Sequence, residues 1–520
     1  MNPRVLDRFR RQAGRRPGHP ALSVGGEVVS YGELAARSGL LAAALREDGV
    51  AAGDRVLLLL ENSAEFVVAY LAILQAHAVA VPYNPAAPES AVARVVDDCG
   101  PAAAFVGPPH LPSIAGLARR HPRLRAAYVV GGDGVEEEGT LAIRTLADRL
   151  AMAMAMGGLA PPVDLPPEDA LAAIIYTSGT TGSPKGVMLT HAHLGEVARV
   201  GVEFLALGED DRVGIAAPLF HLYGLREVDA ALGVGATVIL PLDERFPTRV
   251  LGCLHAGRVT GLSVVPSSLV IWLDRYGAEL GTLADHLRYL TIGTAPTPRS
   301  VLARLGSLLP ATRIILTYGL TEASRVCYRE VPSTGTDLGS STVGHPYPGV
   351  SIHLIDEQDG VGQVAVRSKM VMAGYWGRPD ATRAVLTDDG ALLTPDLGRL
   401  EADGALHLLG RVDEVVNCGG QKVNPSEVEE VIALHPGVRA ATALGIPDPA
   451  GVLGEVVRAV VVRREGSPVS EAEIMSHAAA RLEPHKVPRS VEFVESIAQS
   501  VLGKPQRFRL REAGSVPNSH

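Results

Sequence analysis

The sequence predicts an α/β protein. A large N-terminal domain of helix-covered mixed sheets spans 1–410, with a small β subdomain at 350–410, and an α+β domain follows over 411–520. Three features carry this expectation. Strand and helix signals alternate through 21–150 and again through 171–350, the pattern of βαβ units whose largely parallel sheets are covered by helices. Over 350–410 the alternation gives way to strand-like pieces separated by Asp/Gly turns. After Gly410-Arg411 the chain becomes more charged, and the remainder, about 110 residues, is an ordinary domain length.

The elements follow in order. Ser30-Tyr31-Gly32-Glu33 fits a capping box, and Leu34, Leu41 and Leu45 recur at helical spacing after it. Residues 55–60 read as a short apolar strand, 64–76 as a helix and 79–81 as another strand. The Ala/Met run at 151–156, followed by Gly157, Gly158, Pro161 and Pro162, reads as a linker. Leu171 to Ile175 is an apolar run that reads as a buried strand. Leu194, Val197, Gly201 and Leu205 give the next helix one apolar side. Residues 236–240, 261–266 and 287–292 read as further strands, and 351–355, 362–367 and 405–409 as those of the β subdomain. Asn424-Pro425-Ser426-Glu427 starts a helix with an Asn cap and Pro at its first position, and Ser470 to Glu473 starts another.

Composition limits the function. An apolar content of 47% suits a globular enzyme. A net charge of −9 and a pI near 6.0 imply no broad basic surface, so no nucleic-acid partner is expected. The four cysteines, Cys99, Cys253, Cys327 and Cys418, form no Cys-x-x-Cys pair, which suggests neither a zinc site nor a disulfide framework. The first residues are charged and lack an apolar signal core, and no apolar stretch reaches membrane-spanning length. A cytoplasmic protein with no membrane span is the expectation.

The chemistry is concentrated after the 171–175 strand. It opens into Tyr176-Thr177-Ser178-Gly179-Thr180-Thr181-Gly182-Ser183-Pro184-Lys185-Gly186. Glycines let the backbone approach a ligand closely. Hydroxyl and N–H groups supply donors for phosphate oxygens, and Lys185 adds a positive charge. The stretch is not a Walker loop, because Gly186 follows Lys185 where that loop needs Ser or Thr.

This loop resembles the signature of the adenylate-forming superfamily: acyl-CoA synthetases, adenylation domains of peptide synthetases, and luciferases. Further stretches match in the expected order over nearly the whole chain. The resemblance implies ATP held by Thr177, Ser178, Gly179, Thr180, Thr181, Gly182 and Lys185. It places Gly293, Thr294 and Ala295 along adenine and the acyl pocket. In Tyr318-Gly319-Leu320-Thr321-Glu322, Tyr318 would stack on adenine, Thr321 would reach the α-phosphate, and Glu322 would hold Mg²⁺, a hard cation that prefers oxygen. His221, in Phe220-His221-Leu222-Tyr223-Gly224, would sit beside the acyl substrate and the phosphates.

Thr394-Pro395-Asp396 resembles the family's Thr-Gly-Asp, with Asp396 on the ribose hydroxyls. Pro395 departs from the usual Gly; it fixes φ and removes an N–H. Arg411 would bind ribose or phosphate, and Asp413 would be the hinge of a mobile C-terminal domain. Lys504, in Ser500-Val501-Leu502-Gly503-Lys504, matches the catalytic lysine. Gly419 and Gly420 would leave room for a pantetheine arm.

The implied reaction is ATP-dependent conversion of a carboxylic acid to acyl-AMP and pyrophosphate, then transfer to a phosphopantetheine thiol, either CoA or an acyl carrier protein. The acyl pocket would include His221, Tyr223, Glu227 and Arg325. The charges at Arg226, Glu227, Asp229 and Arg325 leave alternatives open. One is a polar acid bearing an amine, or a second carboxylate, loaded onto a carrier protein. The other is an internal Arg–carboxylate pair closing one side of an apolar pocket, since buried charges need partners. From other classes, a luciferase-like oxygenase and a non-catalytic adenylate-binding protein also remain; Lys504, Glu322 and Lys185 argue against the second.

Overall fold

The computed structural model describes residues 4–131, 141–155, 164–177, 184–241, 246–332, 342–412, 414–419 and 421–497. The chain divides into two compact units. One comprises 1–339, 347–350 and 367–392; the other comprises 340–346, 351–366 and 393–520.

The first unit contains two runs of paired strands. One runs Gly374–Tyr375, Lys185–Thr190, Leu171–Thr177, Val79–Pro82, Arg55–Leu59, Ala103–Val106, Ala126–Val129 and Ala142–Thr145. From Leu171–Thr177 onward its neighbours are parallel, and its first two junctions are antiparallel. The other runs Cys327–Val331, Arg313–Tyr318, Tyr289–Gly293, Gly261–Val264, Arg212–Ala216, Thr237–Leu240, Pro20–Val24 and Glu27–Ser30. It is antiparallel only at its two ends.

The inner strands Val79–Pro82, Ala103–Val106 and Gly261–Val264 are buried at every position, as parallel strands covered on both faces must be. Helix Ala64–Gln75 is buried nearly all round, so it is a core helix rather than an amphipathic one. The Ser30 capping box forms, with Glu33 N–H donating to Ser30 Oγ at 3.2 Å and Ser30 N–H to Glu33 Oε2 at 2.9 Å.

The Ala/Met run corrects one expectation. Leu146–Ala155 is a helix, not a linker. Ala, Leu and Met are strong helix formers, and Thr145 Oγ1 caps the start by accepting from Asp148 N–H at 3.1 Å.

In the second unit, Ser351–Gln358, Val361–Arg367, Leu392–Leu400, Leu406–Arg411 and Thr342–Pro346 are neighbours in that order. Farther along, Val438–Pro447, Glu455–Arg463 and Ser490–Phe493 make a three-stranded sheet. Helices Pro425–Ala433 and Glu471–Ala479 supply Val428, Ile432 and Ile474 to a core shared with Val457 and Val461. Among the described residues no helix is long and apolar enough to cross a membrane.

Candidate active site

Strands Arg212–Ala216, Gly261–Val264, Tyr289–Gly293 and Arg313–Tyr318 are successive parallel neighbours. Their carboxyl ends therefore open along one edge, where ligands of open α/β sheets bind. The loops leaving that edge carry Phe220-His221, Thr294-Ala295 and Gly319 to Glu322. Topology thus gathers motifs that lie far apart in the chain.

Each loop is tightly built. After Tyr318 the chain folds back, with Ser324 N–H donating to Leu320 O at 2.6 Å and Val326 N–H to Tyr318 O at 3.0 Å. A Cβ at Gly319 would collide with the Ser324 carbonyl, so only glycine fits there. Thr294 adopts φ +79°, an unusual conformation for a non-glycine residue and one that clusters at functional sites. The loop before His221 is clamped by Asn62. Its Nδ2 donates to Ala217 O at 3.1 Å, and its Oδ1 accepts from Leu219 N–H at 2.8 Å. Sequence reasoning missed Asn62, since a lone Asn carries no motif.

Glu322 and Lys185, the charged groups of two separate motifs, are also brought together. Tyr375 donates its hydroxyl to Glu322 Oε1 at 2.9 Å. The Lys185 ammonium lies over the Tyr375 ring, 5.1 Å from its centroid. Met372 N–H donates to Glu322 O at 2.8 Å, and Trp376 N–H to Gly186 O at 2.8 Å. Among the described residues no group of three or more His, Cys, Asp or Glu could hold a metal. One carboxylate suits Mg²⁺, which keeps waters and takes its remaining oxygens from substrate phosphates.

The surroundings of Tyr223 are different. Tyr223 is buried, its hydroxyl donating to Thr291 O at 3.1 Å, and its ring lies where a Cβ on Gly293 would approach to 2.9 Å. Arg226 stacks over that ring at 4.7 Å and donates through Nη1 to Ser324 O at 3.3 Å. Glu227 Oε1 accepts from Arg226 Nε at 3.1 Å and from Arg325 Nη2 at 2.8 Å. The side chains of Glu227 and Arg325 are 0% exposed. Gly201 of helix His191–Leu205 allows this, because a Cβ there would stand 2.6 Å from Arg325 Nη2. The internal Arg–carboxylate pair that the sequence offers as one alternative is present.

Asp229 lies apart from that pair, accepting from the Tyr70 hydroxyl at 3.1 Å. Burial pushes its carboxyl from the usual 3.8 up to about 8. The unfolded chain ionises near 3.8 while the folded chain stays protonated, so stability is retained below that pH and lost as pH rises toward about 8. Asp229→Asn keeps the acceptor for Tyr70 and removes the titration. The variant's melting temperature, relative to wild type, is expected to rise between pH 5 and pH 8; a constant difference across that range would refute the assignment.

In the second unit, Asp396 and Arg411 face each other as register partners of adjacent antiparallel strands. Pro395 does not disrupt its strand, since its carbonyl accepts Val412 N–H at 2.8 Å. Gly410 has φ +144°, and a Cβ there would run into the Asn424 amide. Gly419 is exposed and donates its N–H to Leu453 O at 2.8 Å. Ser178, Gly179, Thr180, Thr181, Gly182, Asp413, Gly420 and Lys504 lie outside the described residues.

Comparison with known proteins agrees with this geometry. The family described as AMP-binding enzyme matches residues 9–376, and the AMP-binding enzyme C-terminal domain matches 427–504. The chain is 33% identical over 519 residues, 98% of both sequences, to 3-[(3aS,4S,7aS)-7a-methyl-1,5-dioxo-octahydro-1H-inden-4-yl]propanoyl:CoA ligase of Mycobacterium tuberculosis. It is also 33% identical to a feruloyl-CoA synthase of Amycolatopsis sp, over 96% of this chain and 97% of that one. The crystal structure of ATP-bound MatB from Rhodopseudomonas palustris superposes with a TM-score of 0.87 at 30% identity, covering 99% of each chain. The strand edge with its three loops, and these matches along nearly the full length, establish that the chain belongs to the AMP-binding, adenylate-forming superfamily and within it to the AMP-forming acid–CoA ligases.

Proposed function

We propose that this ligase activates a compact, amine-free carboxylic acid and passes it to CoA. The observation that carries the acid class is the buried Arg226–Glu227–Arg325 cluster, packed behind Tyr223 and the Ser324 turn. An acyl tail entering past His221 ends against that filled layer. Two guanidinium groups share the one Glu227 carboxylate, both through Oε1, so the cluster carries an excess of positive charge that disfavours a substrate ammonium.

The carboxylate is a weak nucleophile and the α-phosphoryl group is negatively charged, so catalysis is mostly positioning and charge neutralisation. A carboxylate oxygen forms a bond to the α-phosphorus, and the bond to the pyrophosphate oxygen breaks. Lys185 steadies the outer phosphates, Thr321 donates to the α-phosphate, and Lys504 approaches the bridging oxygens. Glu322 would hold Mg²⁺, which supplies further neutralisation of phosphate charge when bound. Tyr318 and the 293–295 loop flank adenine; Asp396 and Arg411 take the ribose. In the second step the CoA sulfur forms a bond to the acyl carbon, the anhydride bond to AMP breaks, and the thiol proton passes to solvent. The region beyond Asp413 swings between steps, withdrawing Lys504 and presenting Gly419 and Gly420 to the pantetheine arm. Burial pushes the Cys99 and Cys327 thiols up to about 12, which keeps them inert and suits a protein of the reducing cytoplasm.

The test is AMP and pyrophosphate release with a panel of acids, using CoA and, separately, a holo carrier protein as acceptor. Turnover with short unbranched or small-ring acids and CoA is expected. Preference for long-chain or amino acids would overturn the acid class. Preference for the carrier protein would overturn the acceptor. AMP formation with no acid at all would remove the proposal.

A further inference from the structure

We propose that Tyr375 is a positioning residue that sets Glu322 and Lys185 together for the Mg²⁺-bearing nucleotide. The inference rests on the roles given to those two residues above. Tyr375 belongs to none of the motifs that point to the nucleotide site, yet it touches both charged groups. Its hydroxyl donates to Glu322 Oε1 at 2.9 Å, and its ring face lies under the Lys185 ammonium at 5.1 Å. The hydroxyl uses one carboxylate lone pair and fixes the carboxylate's rotation. The ring's negative face attracts the ammonium without neutralising it, which leaves the full charge for phosphate.

The tyrosine is itself held firmly. Its own N–H donates to Thr382 Oγ1 at 2.9 Å. It pairs with Val187 in antiparallel register, so its backbone is tied to the strand that begins at Lys185. The next residue, Trp376, donates Nε1–H to Asp98 O at 3.2 Å, and Asp98 Oδ2 accepts the Tyr176 hydroxyl at 2.7 Å. Tyr176 lies on the strand that leads into the glycine-rich loop. Gly186 makes the close approach possible, since a Cβ there would meet Ile174 at 2.7 Å and Trp376 at 3.4 Å.

The alternative is that Tyr375 only fills space, being 7% exposed. Tyr375→Phe separates the two, because it keeps the ring and volume and removes only the hydroxyl. The readout is nucleotide binding by the full chain, measured by titration calorimetry without acid or CoA. Affinity for ATP at limiting Mg²⁺ is expected to fall about 10-fold, the scale of one hydrogen bond to a charged group. Saturating Mg²⁺ should restore it, and affinity for AMP without Mg²⁺ should be unchanged. Wild-type Mg²⁺ dependence in Tyr375→Phe, with Glu322→Gln impaired, would overturn the role of Tyr375 and leave Glu322 in place. Wild-type behaviour in both would remove the underlying assignment. If Tyr375→Phe melts early, Thr382→Val loosens the same short strand from outside the site. It should shift the Mg²⁺ dependence in the same direction by a smaller factor; no shift overturns the proposal.

Discussion

Lys504→Ala is expected to lose about 10²-fold or more of acid-dependent pyrophosphate exchange, the scale of removing one charge partner from a transition state. The same variant should still transfer the acyl group from supplied acyl-AMP to CoA at close to the wild-type rate. The separation follows from the chemistry of the two steps. The first accumulates negative charge on phosphate oxygens, where an ammonium group is worth most in a site closed to water. The second breaks an already activated anhydride and needs no further charge there. Exchange at the wild-type rate would remove Lys504 from the mechanism. Equal loss in both steps would show that it serves binding rather than the first chemical step.

Glu227→Ala should produce the largest loss of stability, about 3–5 kcal/mol, as expected for breaking a buried ion pair. Arg226 and Arg325 would then be left facing each other without their shared carboxylate. Among the described residues Arg226 Nη2, Arg325 Nε and Nη1 and Glu227 Oε2 have no hydrogen-bond partner even in the intact cluster, so the two guanidinium groups depend on Glu227 Oε1 for their shared countercharge. Replacing all three by apolar residues of similar volume, Arg226→Met with Glu227→Leu and Arg325→Met, should recover most of the stability. It should also let longer aliphatic acids compete, because flexible thioether chains yield to an acyl tail where a bridged guanidinium does not. Equilibrium unfolding and a chain-length series of acids measure the two effects. A triple variant with unchanged acid preference would separate the cluster from the acyl pocket.

The sequence was most informative where chemistry is contiguous. Tyr318 to Glu322, the loop at 176–186 and the Ser30 box each lie within a few residues, so each could be read locally. The Glu227–Arg325 pair was only half legible. Both charges are visible, but they are 98 residues apart, and only the fold brings them to 2.8 Å. Tyr375 was not legible at all, because a two-residue strand has no periodicity. The low complexity of the 151–156 run suggests a linker, whereas its Ala and Met residues favour the helix that forms over Leu146–Ala155. Pro395 looked disruptive by residue type, yet its strand uses the carbonyl, which proline retains.

The Asn62 clamp has a consequence for how the protein matures. Its bond to Leu219 spans 157 positions of the chain, and it fixes the segment that leads to His221. Closing so large a loop is entropically expensive and comes late in assembly. Local helices and hairpins therefore form ahead of the contacts that finish the pocket. On refolding, competence to bind ligand should trail the recovery of secondary structure.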